Sequence, residues 1–572
     1  MRAAPRSNSP MSEKMPVRPL LQKGNRRDGA VLLSNRLSLP SPLEDIAARF
    51  RYWASRMPSR VLISAHWNGS RSSLTYGDAL DDARILRARL AATGLRPGDR
   101  VATLLSPGLD ALRLRLACLL GGFVHIAMPP CPFRNVSCFP PPEGEAARLW
   151  RIATPNLIVV ADDHPFQEND PVRTLADLPK ANKIFPDHDS APDEWSAVFF
   201  TSGSTGAPKG VPVTRGMISS CQSACATMWP FLHERSPVLV DWMPWNHVFG
   251  GLDNLFKVIW NGGTLHRAAA PSAQGIGELL ELMVATAPTM SIGVPLGLRL
   301  VLDRYDDDPE QVAPGFRNQT HIFFAGAAME PALWHRLLGF RADMEFRFGT
   351  RISILSGYGA TETASTMCLA PSDVPTPGIL GWLLPGHEIA LVPGDSGHEI
   401  RFRGPNLAPY YLGENGAAPL PLDEEGFYRT GDAGILDGEV LRFDGRLSED
   451  FKLSSGTKVR TGAVRAAIIA RIGHLADDIV LWGEGRDAVV GLVFAKAPAS
   501  ADCIASLLAQ WNRDNPGSSN AVSRFAIADF VPDPGCGEIS AKGQPVHKAI
   551  LRNRAGLFAA LSDGTTGTDL QI

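Results

Sequence analysis

Nowhere in these 572 residues is there an uncharged apolar run of the ~18 residues that a membrane span requires; the nearest, from Leu112 to Ala127, is broken by Arg113 and Arg115. The start of the chain lacks the apolar stretch of a secretory signal. Rich in arginine and serine, it partly resembles an organelle transit peptide, although Glu13, Asp28 and the want of an apolar helical stripe count against one. These absences predict a cytoplasmic protein with a disordered N-terminal tail over residues 1–40. Cysteine is sparse too: 8 residues with no CxxC pair and no companion histidine cluster argue against a disulfide framework or a zinc site. Cys221 and Cys225, four apart, read as packing residues on one helix face. Nor is there an excess of charge: 56 basic residues against 59 acidic ones give no global field for nucleic acid or an anionic membrane. Any phosphate site must be a local pocket.

What the chain has is length and regularity. A sequence of 572 residues exceeds what one hydrophobic core serves and implies two or more domains. From about Leu43, helical patterns alternate with short β runs: a helix around Ile46 to Met57, a strand from Arg60, a helix from Gly77 to about Thr93, a strand from Val101 and a helix after Gly108. This alternation predicts an α/β fold with a mainly parallel sheet, persisting past residue 360. After Asp444-Gly445-Arg446 the texture changes to a helix near Val464, β runs at Asp478 to Leu481 and Ala488 to Phe494, a helix near Ala501 and a strand near Arg524, the content of a small α+β domain. The expected division is a tail at 1–40, a large N-terminal domain at 41–446, a smaller mobile domain at 447–562 and a frayed tail at 563–572.

The most informative segment runs from Ala197 to Gly210. Apolar residues lead into Thr201-Ser202-Gly203-Ser204-Thr205-Gly206, and the segment ends on Lys209-Gly210. Small residues let backbone N–H groups converge, hydroxyls add donors and the lysine adds positive charge, which together suit phosphate oxygens. A flexible linker is the plain alternative, but linkers seldom follow a buried strand in this way. The GxxxxGK[ST] loop fails on spacing, since Pro208 precedes Lys209 and Gly210 follows it.

With three later segments, this loop resembles that of the acyl-adenylate-forming superfamily, which comprises acyl-CoA synthetases, peptide-synthetase adenylation domains and luciferases. Gly357-Tyr358-Gly359-Ala360-Thr361-Glu362-Thr363 resembles the segment in which Tyr358 stacks on adenine, Thr361 contacts the α-phosphate and Glu362 binds Mg²⁺. Tyr428-Arg429-Thr430-Gly431-Asp432 resembles the ribose motif, with Asp432 on the sugar hydroxyls; Gly445-Arg446 resembles the end of the large domain, where Arg446 also reaches the ribose. Each string alone could be an ordinary turn; four in this order on an α/β background are specific. The resemblance spans roughly residues 45 to 560. It is closest to the feruloyl-CoA synthetase branch, through Val238 to Gly251, Asp444 to Leu453 and Gly537-Glu538-Ile539-Ser540-Ala541-Lys542-Gly543.

The resemblance implies a carboxylic acid–CoA ligase that uses ATP and Mg²⁺, with coenzyme A as co-substrate and an aromatic, hydroxycinnamoyl-like small-molecule acid. It places His247 beside the acyl pocket; a histidine merely buried between Trp245 and Phe249 is the alternative. Thr201 and its loop would offer donors to the phosphates. Lys542 is assigned as the catalytic lysine, although the common pattern has lysine directly after the glycine, where this chain has Gln544; Lys548 is the reserve. Ser448 stands where the hinge usually has a charged residue, which leaves Ser448, Glu449 and Asp450 as pivot candidates. Loading of a separate carrier protein is an alternative within the class. A non-catalytic nucleotide-binding relative is one outside it, opposed by the presence of Lys209, Glu362 and Asp432.

Overall fold

A computed structural model describes residues 21–40, 43–67, 70–133, 136, 138–164, 171–181, 186–202, 208–272, 275–327, 329–394, 397–496, 501–533, 536, 538–539 and 545–570. The large α/β domain and the smaller α+β domain are both present. The large domain is built on three sheets. In the first, Trp195–Ser202, Val124–Ala127, Arg100–Thr103, Leu157–Val159 and Val172–Arg173 run parallel, and Pro208–Thr214 is added antiparallel. The apolar run before the glycine-rich loop is continuous because both faces of its strand are covered. Ala197 and Phe199 enter one buried cluster with Ile218 and Leu116, while Val198 and Phe200 enter another with Ile152 and Phe139.

The second sheet holds Val238–Asp241, Thr264–Arg267 and Val61–Trp67 in parallel, with Ser70–Thr75 antiparallel. The flanking helices start on side-chain caps. Asp45 accepts from the N–H groups of Ala47 and Ala48 at 2.9 and 3.1 Å, and Thr75 with Asp78 forms a capping box, contributions of about 1 kcal/mol each.

The third sheet corrects the expectation of a mainly parallel architecture. Among the described residues it has 11 strands, parallel only over Met290–Gly293, His321–Phe324 and Ser353–Tyr358 and antiparallel thereafter. The reason is connection length: Glu388–Gly394 leads within a few residues into Gly397–Arg403, too short a span for the crossover that parallel strands need.

Both chain ends are more structured than the sequence suggests. Leu21–Asn25 and Val31–Asn35 form a hairpin that extends the third sheet through pairing with Glu388–Gly394. Arg26 in its turn reaches Asp423 at 3.0 Å, which also takes Arg401 at 3.1 Å. The tail expected at 1–40 is therefore corrected for 21–40, and residues 1–20 lie outside those described. At the other end, Thr568–Asp569 pairs with Val522–Ile527 and Asp569 is ion-paired to Arg524, where 563–572 was expected to fray. Two-residue and polar strands leave little periodicity to read; their partners elsewhere in the chain make them.

The strand Val440–Arg446 of the third sheet is followed by a short turn, Leu447–Glu449. Gly445 there has φ 105°, a conformation that L side chains rarely adopt, and a Cβ placed on Gly462 would stand 2.8 Å from its Cα. Beyond the turn, buried clusters drawn only from residues at or after Phe451 form around Ala476–Trp482, Val489–Ala495 and the helices Thr461–Ile472 and Ala501–Asp514. Among the described residues no helix is long and apolar enough to cross a membrane.

Candidate active site

The strand Trp195–Ser202 returns as Pro208–Thr214, so Lys209 stands directly across the ladder from Thr201. Gly203, Ser204, Thr205 and Gly206 lie outside the described residues, as do Lys542 and the side chain of Ser202. The foot of the loop is well defined. The Lys209 ammonium sits 4.6 Å from the centroid of the Tyr411 ring, close enough for a cation–π contact. The Tyr411 hydroxyl in turn donates to Glu362 Oε1 at 2.7 Å. Burial, and then the neighbouring Glu362 carboxylate, push the Tyr411 phenol well above its ordinary pKa, so it stays a donor. Tyr411 belongs to the first sheet, beside Pro208–Thr214, whereas Glu362 lies just beyond the last parallel strand of the third; this hydrogen bond ties the two sheets at the site.

The segment Gly357 to Thr363 owes its composition to crowding. A Cβ on Gly357 would come 2.7 Å from the Phe323 ring, and one on Gly359 only 1.8 Å from the Ser365 carbonyl oxygen. The chain folds back on itself through Ala364 and Ser365, both at positive φ. Buried Asn406 fixes this reversal by donating its amide to the carbonyls of Thr363 (2.9 Å) and Thr366 (2.7 Å). Glu362 is thereby presented on a braced turn.

Two motifs that are far apart in sequence meet at the other end. The Tyr358 hydroxyl donates to Asp432 Oδ2 at 2.7 Å, and Arg446 Nε lies 3.2 Å from Asp432 Oδ1. Asp432 and Arg446 are register partners on adjacent antiparallel strands, which brings the two motifs to one place. Burial, then the charge of Asp432, raise the Tyr358 phenol well above its ordinary value.

A cleft opens beside Tyr358 and Thr361. Its walls include His247, Tyr358, Gly359 and Thr361, together with Phe249 and Phe323, whose rings meet edge to face at 6.0 Å. The wall that carries Phe249 is a wide, π-helical turn, Phe249–Asn254, seated closely on the preceding segment: a Cβ on Gly251 would fall 2.0 Å from the Trp245 carbonyl oxygen. The expected residues His247, Tyr358, Gly359 and Thr361 thus share one cleft; Asp432 and Arg446 join it through Tyr358, and Lys209 joins Glu362 through Tyr411. Sequence reasoning missed Tyr411, Asn406, Phe323 and Asp253. Tyr411 had one faint signal, as half of a Tyr-Tyr pair in a chain with 7 tyrosines.

The donor set fits the groups that the motifs imply. Glu362 offers a carboxylate steadied by a neutral donor, the hard oxygen chemistry that Mg²⁺ takes, and Asp432 offers an acceptor to paired sugar hydroxyls. A family profile described as AMP-binding enzyme matches residues 50–412, most of the large domain. The chain belongs to the AMP-binding enzyme family. It is 28% identical over 534 residues to an isonitrile lipopeptide synthase of Streptomyces coeruleorubidus, covering 88% of this chain and 33% of that protein. It is 23% identical over 387 residues to the mitochondrial malonate–CoA ligase of Mus musculus, covering 61% and 64%. The chain thus spans between one third and just under two thirds of these relatives. In fold it is similar to an anthranilate CoA ligase solved with anthranoyl-AMP, with a TM-score of 0.72 at 17% identity over 91% of this chain and 99% of that one.

Proposed function

We propose that this member of the AMP-binding family is an ATP-dependent acid–thiol ligase that forms an acyl-AMP and passes the acyl group to a thiol, with the large and small domains meeting near Leu447. What supports this reading is how the motif residues are grouped: Tyr358 is bonded to Asp432 beside Arg446, Lys209 is joined to Glu362 through Tyr411, and Tyr358 and Thr361 line a cleft with His247, Phe249 and Phe323.

The substrate carboxylate oxygen attacks the α-phosphorus, and the bond to pyrophosphate breaks. Both partners are anions, so the site must cancel charge and align them, which is where most of the rate gain in such transfers arises. Mg²⁺, held through Glu362, would neutralise phosphate oxygens. Thr201, Thr361 and Lys209 serve as donors and positive charge along the phosphates, Tyr411 keeps Glu362 oriented, and Lys542 supplies a second cation from the small domain. A thiolate then attacks the acyl carbonyl and AMP leaves with its electron pair. Because Lys542 and the thiol need the same carbonyl, the small domain turns about Ser448, Glu449 or Asp450 between the steps.

The Phe249 and Phe323 walls favour an aromatic acid of the hydroxycinnamate kind. Free coenzyme A is the preferred acceptor. A carrier-protein thiol in trans is the second reading, favoured by the likeness to the larger lipopeptide synthase. Acid-dependent pyrophosphate release over a panel of acids, with coenzyme A present or absent, tests the proposal: release without a preference for aromatic acids overturns the substrate class, and no release with any acid overturns the activity.

A further inference from the structure

Four buried side chains behind the cleft take no part in the chemistry proposed above. Cys221 and Cys225 stand one turn apart on the helix Arg215–Met228, Asp253 comes from the wide turn Phe249–Asn254, and Lys257 from the helix Leu255–Trp260 that continues it. Each is at most 1% exposed. One ligand atom from each of Cys221, Cys225 and Asp253 lies within 4.8 Å of the other two. Lys257 Nζ is 2.7 Å from Asp253 Oδ1. The Cys221 thiol donates to the Ala364 carbonyl oxygen at 3.3 Å, so a further oxygen stands at the same place.

Two thiols alone would pass as packing residues, which is how their spacing reads in the sequence. A buried carboxylate and ammonium do not follow from packing, because an apolar pair of similar volume would serve as well or better. Two sulfurs and a carboxylate at one point in a core are instead the donor set of a thiophilic, tetrahedral cation. With Zn–S near 2.3 Å and Zn–O at 2.0–2.2 Å, tetrahedral ligand atoms stand about 3.4–3.8 Å apart, so shifts of about 1 Å would close the set. The Ala364 oxygen makes a fourth ligand.

Charge accounts for the lysine. With both thiols protonated, Asp253 and Lys257 cancel each other. A divalent ion displaces the two thiol protons to solvent; two thiolates and the Asp253 carboxylate then stand against the ion and the Lys257 ammonium, three charges of each sign. The buried group is thus neutral with or without the ion, and only Lys257 makes it so in the loaded state. Sulfur ligands favour zinc over the hard cations that oxygen sites take.

We propose that Cys221, Cys225, Asp253 and the Ala364 carbonyl form a structural site for Zn²⁺, with Lys257 as its counter-charge. The ion fastens the helix Arg215–Met228 to the wide turn that carries Phe249 and to the reversal at Ala364 that follows Glu362. This site is separate from the Mg²⁺ assigned to Glu362 and stands independently of the ligase activity.

The test is metal content. Protein produced in zinc-supplemented medium and then dialysed should retain about one equivalent of zinc, and Cys221→Ser and Cys225→Ser should each bring this below about a tenth while circular dichroism stays that of wild type. Protein produced with cobalt in place of zinc should show the thiolate-to-cobalt charge-transfer absorption of two sulfurs per ion, which reads the ligand set in wild type even where a variant fails to fold. Serine in place of the exposed Cys138, Cys503 and Cys536 should leave the content unchanged. Wild type without retained metal or without that absorption, or metal that survives both buried substitutions, would overturn the proposal and leave the cysteines as packing beside an ion pair. Metal lost with the exposed cysteines would overturn it too, by assigning the ion to the surface.

Discussion

The Tyr411 hydroxyl donates to Glu362 Oε1 at 2.7 Å, so the carboxylate assigned to the metal is oriented by a residue 49 positions away on a different sheet. Tyr411→Phe removes only that donor. Because a hydrogen bond to a charged group is worth about 1.5–3 kcal/mol, the variant should need about 10- to 100-fold more Mg²⁺ or lose as much in kcat/KM. Pyrophosphate exchange across a Mg²⁺ titration, with circular dichroism to confirm folding, checks this; an unchanged Mg²⁺ dependence would detach Tyr411 from the metal site.

Glu362→Gln keeps the size of the side chain but not its charge. Acid-dependent pyrophosphate release should fall by orders of magnitude in a protein that remains folded. Undiminished release would remove Glu362 from metal binding.

Under the proposed mechanism, Lys542 and Lys548 should be distinguishable by half-reaction. Lys542→Ala should cut acyl-AMP formation by orders of magnitude, because a pre-placed cation contributes several kcal/mol to such a transition state. Supplied with synthetic acyl-AMP, the same variant should still form thioester at close to the wild-type rate. Lys548, exposed on the helix His547–Asn553, should tolerate alanine in both steps. The reverse pattern would show that the lysine register is misassigned.

Asp423 gives a pH dependence with a definite sign. Against the effect of burial, the Phe427 N–H and the Arg401 and Arg26 guanidinium groups lower its pKa from 3.8 to about 2. A folded-state value below the unfolded one stabilises the protein at pH above about 4, and that contribution fades as pH falls toward 2. Asp423→Asn should therefore have a lower urea midpoint than wild type at pH 7, with the gap closing between pH 4 and pH 2.

The candidate residues that the structure brings together come from segments where particular residue types stand at short spacing. The loop from Thr201 to Lys209, the Tyr358 to Glu362 turn and Asp432 each carry such a pattern, and the structure links Lys209 to Glu362 through Tyr411 and Tyr358 to Asp432. What escaped reading depends on tertiary pairing. Asn406 braces the Glu362 turn from 40 and 43 residues away through backbone carbonyls, which leave no trace in local sequence. Asp253 belongs to none of the sequence motifs; the wide turn brings it to the cleft wall. The alternation of helices and strands conveyed the α/β class, but not the antiparallel half of the third sheet, whose strands are joined too tightly for the pattern to persist.

The hairpin Leu21–Asn25 and Val31–Asn35 lies ahead of residue 50, where the family match begins, yet it covers the open side of Glu388–Gly394. A protein that began at residue 50 would keep every described residue of the candidate site and still acquire a raw sheet margin, with the Ile389 and Leu391 side chains stripped of their cover and backbone N–H and C=O groups facing water. Such a margin invites strand-to-strand stacking between molecules. Leu21–Asn25 and Val31–Asn35 therefore act as a selvedge on that sheet margin.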